Sequence, residues 1–204
     1  MTLSFLHDLK EEIIGVDEVG RGSWSGPIVV CSILLNKKLL NHEVLYEIDD
    51  SKRLNKKKRG CIAKILKNNS IYSFGIVSAD KIDKFGIQKS NELAIKMSLK
   101  KFSNLKNNVR IDGRQFFSID RRCEFLIKGD QKSISIASAS ILAKNYRDEI
   151  MKLMSKKFKG YDWENNSGYG TPKHMYGLHK YGVCSEHRKS FEPIKKILNR
   201  EWKN

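Results

Sequence analysis

Two short apolar runs flanking a glycine-rich stretch constrain this chain more than any other feature of its sequence. Residues 12–17 (EIIGVD) and 28–35 (IVVCSILL) read as buried strands, joined by a connection holding Gly20, Gly22 and Gly26. A third candidate strand covers 71–77 (IYSFGIV). Residues 88–102 place Leu93, Ala94, Ile95, Met97, Leu99 and Phe102 at helical spacing. A short alternating strand around Val109 and Ile111 ends at Asp112-Gly113, and a brief one at 125–127 precedes Gly129-Asp130. The strongest helix is 133–157, with Ile134, Ala137, Ile141, Asn145 and Asp148 along one face. Beyond Gly160 the pattern weakens into a loop, followed by shorter helices near 172–181 and 193–202. Strands come first and helices dominate the end, which predicts a mixed α/β core with a helical C-terminal portion.

At 204 residues the chain is long enough to bury a core without staples, and one domain over 1–204 is expected, with about 160–204 as its helical portion. Lys and Arg number 39 against 23 Asp and Glu, a net charge of +16 that points to a polyanionic partner, nucleic acid before membrane. The longest near-continuous apolar run, 28–35, falls far short of the roughly 20 residues a membrane-crossing helix needs. Residues 1–12 lack a basic head followed by an apolar stretch, so secretion is not expected. Cys31, Cys61, Cys123 and Cys184 show no zinc spacing, and Cys31 reads as a reduced core thiol. The expectation is a cytoplasmic monomer with no membrane partner and no small organic cofactor.

In so basic a chain, the acids beside glycines at strand ends carry the chemistry. Asp17 and Glu18 end the first strand, Asp112 ends another, and Asp130 stands at the mouth of the long helix. Strand ends gather at one edge of a sheet, where several converging carboxylates repel one another unless protonated or neutralised by a cation. Oxygen donors without His or Cys suit Mg²⁺ or Mn²⁺ rather than Zn²⁺. With a basic surface, this predicts two-metal phosphodiester hydrolysis. Neighbouring strand residues face opposite ways, so Asp17 and Glu18 share a site only if the chain bends at Val19-Gly20-Arg21-Gly22. Asp148 lies eighteen residues beyond Asp130, about 27 Å along a straight helix. It therefore reads as an ion-pair partner of Lys144 or Arg147.

GVDEVGRGSWSGP at 15–27, DSKRL at 50–54, IDG at 111–113 and KGDQKSISIASASILAKNYRD at 128–148 occur in one order, followed by SGYGT at 167–171 and HRKSFEP at 187–193. This ordered set resembles the ribonuclease HII family. The resemblance implies a ribonuclease H-like fold, a mixed five-stranded sheet flanked by helices. It also implies a metal-dependent endonuclease that cleaves RNA in RNA–DNA hybrids and 5′ to single ribonucleotides embedded in duplex DNA, leaving 3′-hydroxyl and 5′-phosphate ends. By the same resemblance, Asp17, Glu18, Asp112 and Asp130 match the catalytic acids that hold the metals. Gly20, Arg21 and Gly22 match the loop that contacts the ribose 2′-OH, and Tyr169 matches the tyrosine stacking on the next nucleotide.

That division suits the chemistry, since the 2′-OH distinguishes RNA from DNA and glycine lets backbone approach a sugar. Arg21 beside the metals could take a phosphate, and Lys52 reads as a phosphate contact or a plain surface lysine. Relatives commonly read GRGPLAGP, whereas here Ser23, Trp24 and Ser25 stand in the loop. Loss of the proline's φ restraint predicts a looser loop, with Trp24 packed beneath it. Arg53 replaces a common lysine, keeping charge but not donor geometry. The rival readings are a type HIII ribonuclease, which normally carries an N-terminal extension ahead of its acids, and a non-catalytic basic module that grips phosphates.

Overall fold

The computed structural model describes residues 3–49, 54–119 and 122–199. Five strands form one mixed sheet: β1 (Ile14–Val19), β2 (Ile28–Leu35), β3 (Ser70–Val77), β4 (Val109–Asp112) and β5 (Cys123–Leu126), in the order β3-β2-β1-β4-β5. β2 lies antiparallel to β1 and β3, whereas β1, β4 and β5 run parallel. Parallel neighbours bring their carboxyl ends to the same edge, and the register pairing Val16 with Ile111 sets Asp17 beside Asp112.

The apolar run of β2 is explained by helices on both faces. Cys31, Ile33 and Leu35 face α2 (Val44–Asp49), α3 (Lys56–Asn68) and α6 (Ile134–Lys157) in one cluster with Ile48, Ile62, Leu66 and Leu142. Ile28 and Val30 face the other way, joining Ile14, Val16 and Ile111 against Ala94 and Ile95 of α5 (Ile87–Leu99). Alternate residues of one strand thus enter two cores.

α6 crosses β1 at close range because both surfaces are small there. A Cβ at Gly15 would lie 2.1 Å from the Ser135 carbonyl carbon. Ser135, Ala137, Ser138 and Ala139 are all buried. Ser133 caps the helix, its side chain accepting from the Ile136 N–H. The buried Asp8 carboxylate, on α1 (Leu3–Lys10), accepts from the Ser133 hydroxyl and pairs with Arg110. A third cluster, Met151, Tyr161, Trp163, Leu178 and Ile194, joins the end of α6 to α7 (Trp163–Asn166), α8 (Pro172–Tyr181) and α9 (Glu192–Leu198).

The expected strand at 12–17 is shifted: Glu12 sits at φ 54°, a left-handed turn, and the strand runs on to Val19 because β2 offers Val30 and Val29 as partners to Glu18 and Val19. The expected helix at 88–102 ends at Leu99 and tightens into a single 3₁₀ turn, and the brief strand at 125–127 begins earlier, at Cys123. α1, α2, α3 and α4 (Ala79–Phe85) were not anticipated. The last expected helix is described only over α9. Among the described residues no helix is long and apolar enough to cross a membrane.

Candidate active site at the carboxyl ends of β1 and β4

Asp17 is 7% exposed and shares the Gly15 face of β1, toward α6. Its Oδ1 accepts the Glu18 N–H at 2.7 Å. Asp112 closes β4, and its Oδ1 accepts the Gly129 N–H at 2.7 Å. That bond ties β4 to the 3₁₀ turn Gly129–Gln131, which carries Asp130, half-buried, at the foot of α6. Glu18 continues the Ile14 and Val16 face. The strand is regular through Glu18, so the expected bend comes after it, at Gly20 with φ 90°.

Electrostatics nevertheless joins these acids across the sheet edge. Burial raises the Asp17 carboxyl well above the usual carboxylate range. The Glu18 and Asp112 charges add to that rise, while hydrogen bonds from Ser140 and the Glu18 N–H act against it. Burial likewise raises Glu18, with Asp112 adding to the effect and Arg21, at 3.9 Å, opposing it. The like charges of Asp17, Glu18 and Asp112 thus act on one another at this edge, a repulsion that a hard divalent cation would relieve. Among the described residues no three His, Cys, Asp or Glu side chains are grouped closely enough to hold a metal ion. The donor set fits an ion of the Mg²⁺ or Mn²⁺ kind, which keeps several ligand positions for water or substrate.

Two loops border the acids. Residues 20–27 are held from below by buried arginines on distant segments. Arg147 of α6 donates from Nε to the Pro27 carbonyl at 2.9 Å. Its Nη2 reaches the Ser23 hydroxyl at 2.6 Å and the Ser25 carbonyl at 3.1 Å. Arg188 donates from Nε to the Gly26 carbonyl at 3.0 Å and from Nη1 to the Arg21 carbonyl at 3.1 Å. Burial, with Arg147 nearby, pushes Arg188 down to about 9. The Ser23 hydroxyl also donates to the Gly20 carbonyl at 2.9 Å. The loop expected to loosen without its proline is therefore laced by side-chain bonds.

Arg21 is half exposed and lies over Phe116 at 5.9 Å, while a Cβ at Gly22 would meet nothing within 4 Å. Trp24 packs against Gly170, where a Cβ would fall 2.1 Å from the indole, and its N–H donates to the Gly168 carbonyl at 2.8 Å. Tyr169 is 39% exposed at the lip of that second loop, its ring 5.8 Å from the Arg147 guanidinium.

The Tyr169 carbonyl rests on a buried histidine pair. Nδ1 of His187 accepts the Cys184 N–H at 3.0 Å, which puts the ring proton on Nε2. That proton points at Nε2 of His174, 3.1 Å away, where the Trp163 indole N–H also arrives at 3.1 Å. His174 then donates from Nδ1 to the Tyr169 carbonyl at 2.9 Å. Burial lowers both rings, His187 to about 3.

Lys52 lies outside the described residues. Asp148 pairs with Lys144 at 2.7 Å, as one expectation had it, and with Arg59 at 3.1 Å; Arg147 turns instead to backbone carbonyls. Sequence reasoning gave neither Arg147 nor Arg188 a role at the loops. A buried arginine leaves no mark among 39 basic residues, although both lie within the motifs RD and HR.

The sheet order, its mixed sense and the acids at its edge define the ribonuclease H class of fold. Ribonuclease H2 from Pyrococcus horikoshii OT3 superposes with a TM-score of 0.76 at 24% identity, covering 94% of this chain and 99% of that one. Bst-RNase HIII in complex with Mn²⁺ superposes at 0.70 with 18% identity, over 98% of this chain and 74% of that one. The family model for Ribonuclease HII matches residues 14–194. Ribonuclease HII of Staphylococcus saprophyticus is 43% identical over 188 residues, which is 92% of this chain and 72% of the relative. The chain belongs to the ribonuclease HII family, and it is a ribonuclease H.

Proposed function

We propose that the chain is a divalent-metal-dependent endonuclease acting on RNA–DNA hybrids and on DNA duplexes with embedded ribonucleotides. It cuts on the 5′ side of the ribonucleotide and leaves 3′-hydroxyl and 5′-phosphate ends. The observation that carries this reading is the placement of Asp17 and Asp112 side by side at the carboxyl ends of adjacent parallel strands, with Glu18 next in the chain and the Asp17 and Glu18 carboxyls raised by burial and by the Asp112 charge, in a chain of net charge +16. A purely phosphate-gripping module has no use for repelling carboxylates at that edge.

Asp17 holds the centre of the proposed site, its orientation fixed by the Glu18 N–H. Glu18, Asp112 and Asp130 complete the acidic set. Bound Mg²⁺ or Mn²⁺, one of which accompanies the Bst-RNase HIII relative, would supply an acidic water and a Lewis acid for the leaving oxygen. The chain's own residues orient the substrate. Backbone at Gly20 and Gly22 approaches the ribose 2′-OH, Arg21 takes a phosphate, and the exposed Tyr169 ring stacks on the nucleotide that follows. Lys52 adds a phosphate contact. The unit that does this is a single domain over 1–204, with about 160–204 as its helical C-terminal portion.

The test is cleavage of a duplex with one ribonucleotide by the wild-type chain and by Asp17→Asn, with Mg²⁺ or Mn²⁺. The substituted protein is expected to fold and bind the duplex but not to cut it. Undiminished turnover by Asp17→Asn would overturn the assignment.

A further inference from the structure

Arg147, like Arg188, is a buried charge that the proposed chemistry leaves without a task. It is fully buried, and its bonds go to carbonyls and a hydroxyl rather than to a carboxylate. Nε and Nη2 hold Pro27, Ser23 and Ser25 of the first loop, whereas Nη1 donates to the Ser167 carbonyl at 2.8 Å. Ser167 stands two residues before Tyr169 in a left-handed turn (φ 49°), and its hydroxyl is held at 2.7 Å by Asp148, the next residue along α6. Consecutive residues of one helix therefore grip both polar ends of Ser167. The same guanidinium lies 5.8 Å from the Tyr169 ring, and at Gly20 a Cβ would strike its Nε at 2.2 Å.

Burying an unpaired guanidinium is costly, and apolar packing would stabilise two loops at least as well. A planar fork of fixed donors does something apolar packing cannot: it sets the position of two backbone segments relative to one another. We infer that Arg147 is a positioning residue that couples the Gly20–Gly22 backbone to Tyr169, so that ribose reading and base stacking act as one unit. This rests on the proposed reading of those loops as the ribonucleotide sensor.

Lysine at 147 keeps the charge and reaches one loop but not both. Arg147→Lys is therefore expected to lower kcat/KM about tenfold on a duplex with one ribonucleotide, while a long RNA–DNA hybrid changes little, since a small misplacement is amplified at a reacting centre. The deciding measurement is a double-mutant cycle with Tyr169→Ala on both substrates. On the single-ribonucleotide duplex the double variant should be no worse than about the poorer single variant. If the losses multiply, or if both substrates lose equally, the coupling is refuted. Should Arg147→Lys fail to fold, Ser23→Ala, which removes one of the two Nη2 bonds and one turn bond, goes through the same cycle under the same criteria. A failure of the catalytic reading is seen separately, as turnover retained in Asp17→Asn.

Discussion

The sheet edge and the base of the C-terminal helices both bury ionisable groups, and they solve the problem in opposite ways. At the sheet edge, Asp17 and the half-buried Glu18 lie beside the Asp112 charge, and burial and that charge raise both carboxyls. Beneath the C-terminal helices, His174 and His187 are each supplied with the partner their neutral form needs. The lesson is that burial by itself does not mark a reactive site. Complete hydrogen bonding marks structure, whereas unrelieved like charge marks a place where something from outside is expected to bind.

The largest expected effect separates the regions outright. Asp17→Asn should lower turnover by about a thousandfold or more while raising the melting temperature measured in EDTA, because an amide ends the repulsion. A loss of both activity and stability would place Asp17 with the histidines, as a structural group.

Acid should then move the two regions in opposite senses. His187 has a folded pKa of about 3, depressed from 6.5. Its contribution is fully present above about pH 6.5 and is lost as pH falls toward 3, on the order of 5 kcal/mol at most. Asp17, with its folded value raised, penalises the native state at neutral pH and releases that penalty as pH falls. Unfolding followed by tryptophan fluorescence in EDTA should show an acid-induced loss that is steeper in Asp17→Asn than in the wild type. Equal slopes would erase the comparison.

Mn²⁺ or Mg²⁺ should raise the melting temperature of the wild type by several degrees and that of Asp17→Asn by much less, since only binding to the native state stabilises it. Least affected of all should be an exposed ion pair. Glu92, bonded by Lys96 at 2.6 Å and Lys89 at 2.9 Å, lies far from both regions in sequence. Glu92→Gln should cost under about 1 kcal/mol in a thermal melt and leave cleavage unchanged.

Much of this contrast was legible before any coordinates. The apolar run of β2 and the one-faced spacing of Ile134, Ala137 and Ile141 in α6 marked two elements almost to the residue, because burial on both faces of a strand and a helical repeat leave local marks. The acids stood out against a basic background. The end of β1 did not, because its last pairings depend on β2 rather than on its own residues. Nor did the short helices before β3, whose packing on α6 is a tertiary fact. The partnerships of His174, His187, Arg147 and Arg188 bring together segments up to 167 residues apart, beyond any local pattern.

The most direct measurement is to map the cut at nucleotide resolution in an end-labelled duplex carrying one ribonucleotide. A single nick 5′ of the ribose, ending in a 3′-hydroxyl and a 5′-phosphate and abolished by EDTA, is the predicted result. Cleavage that persists in EDTA, or a product ending in a 2′,3′-cyclic phosphate, would mean that the ribose hydroxyl rather than metal-held water attacks, and would contradict the account.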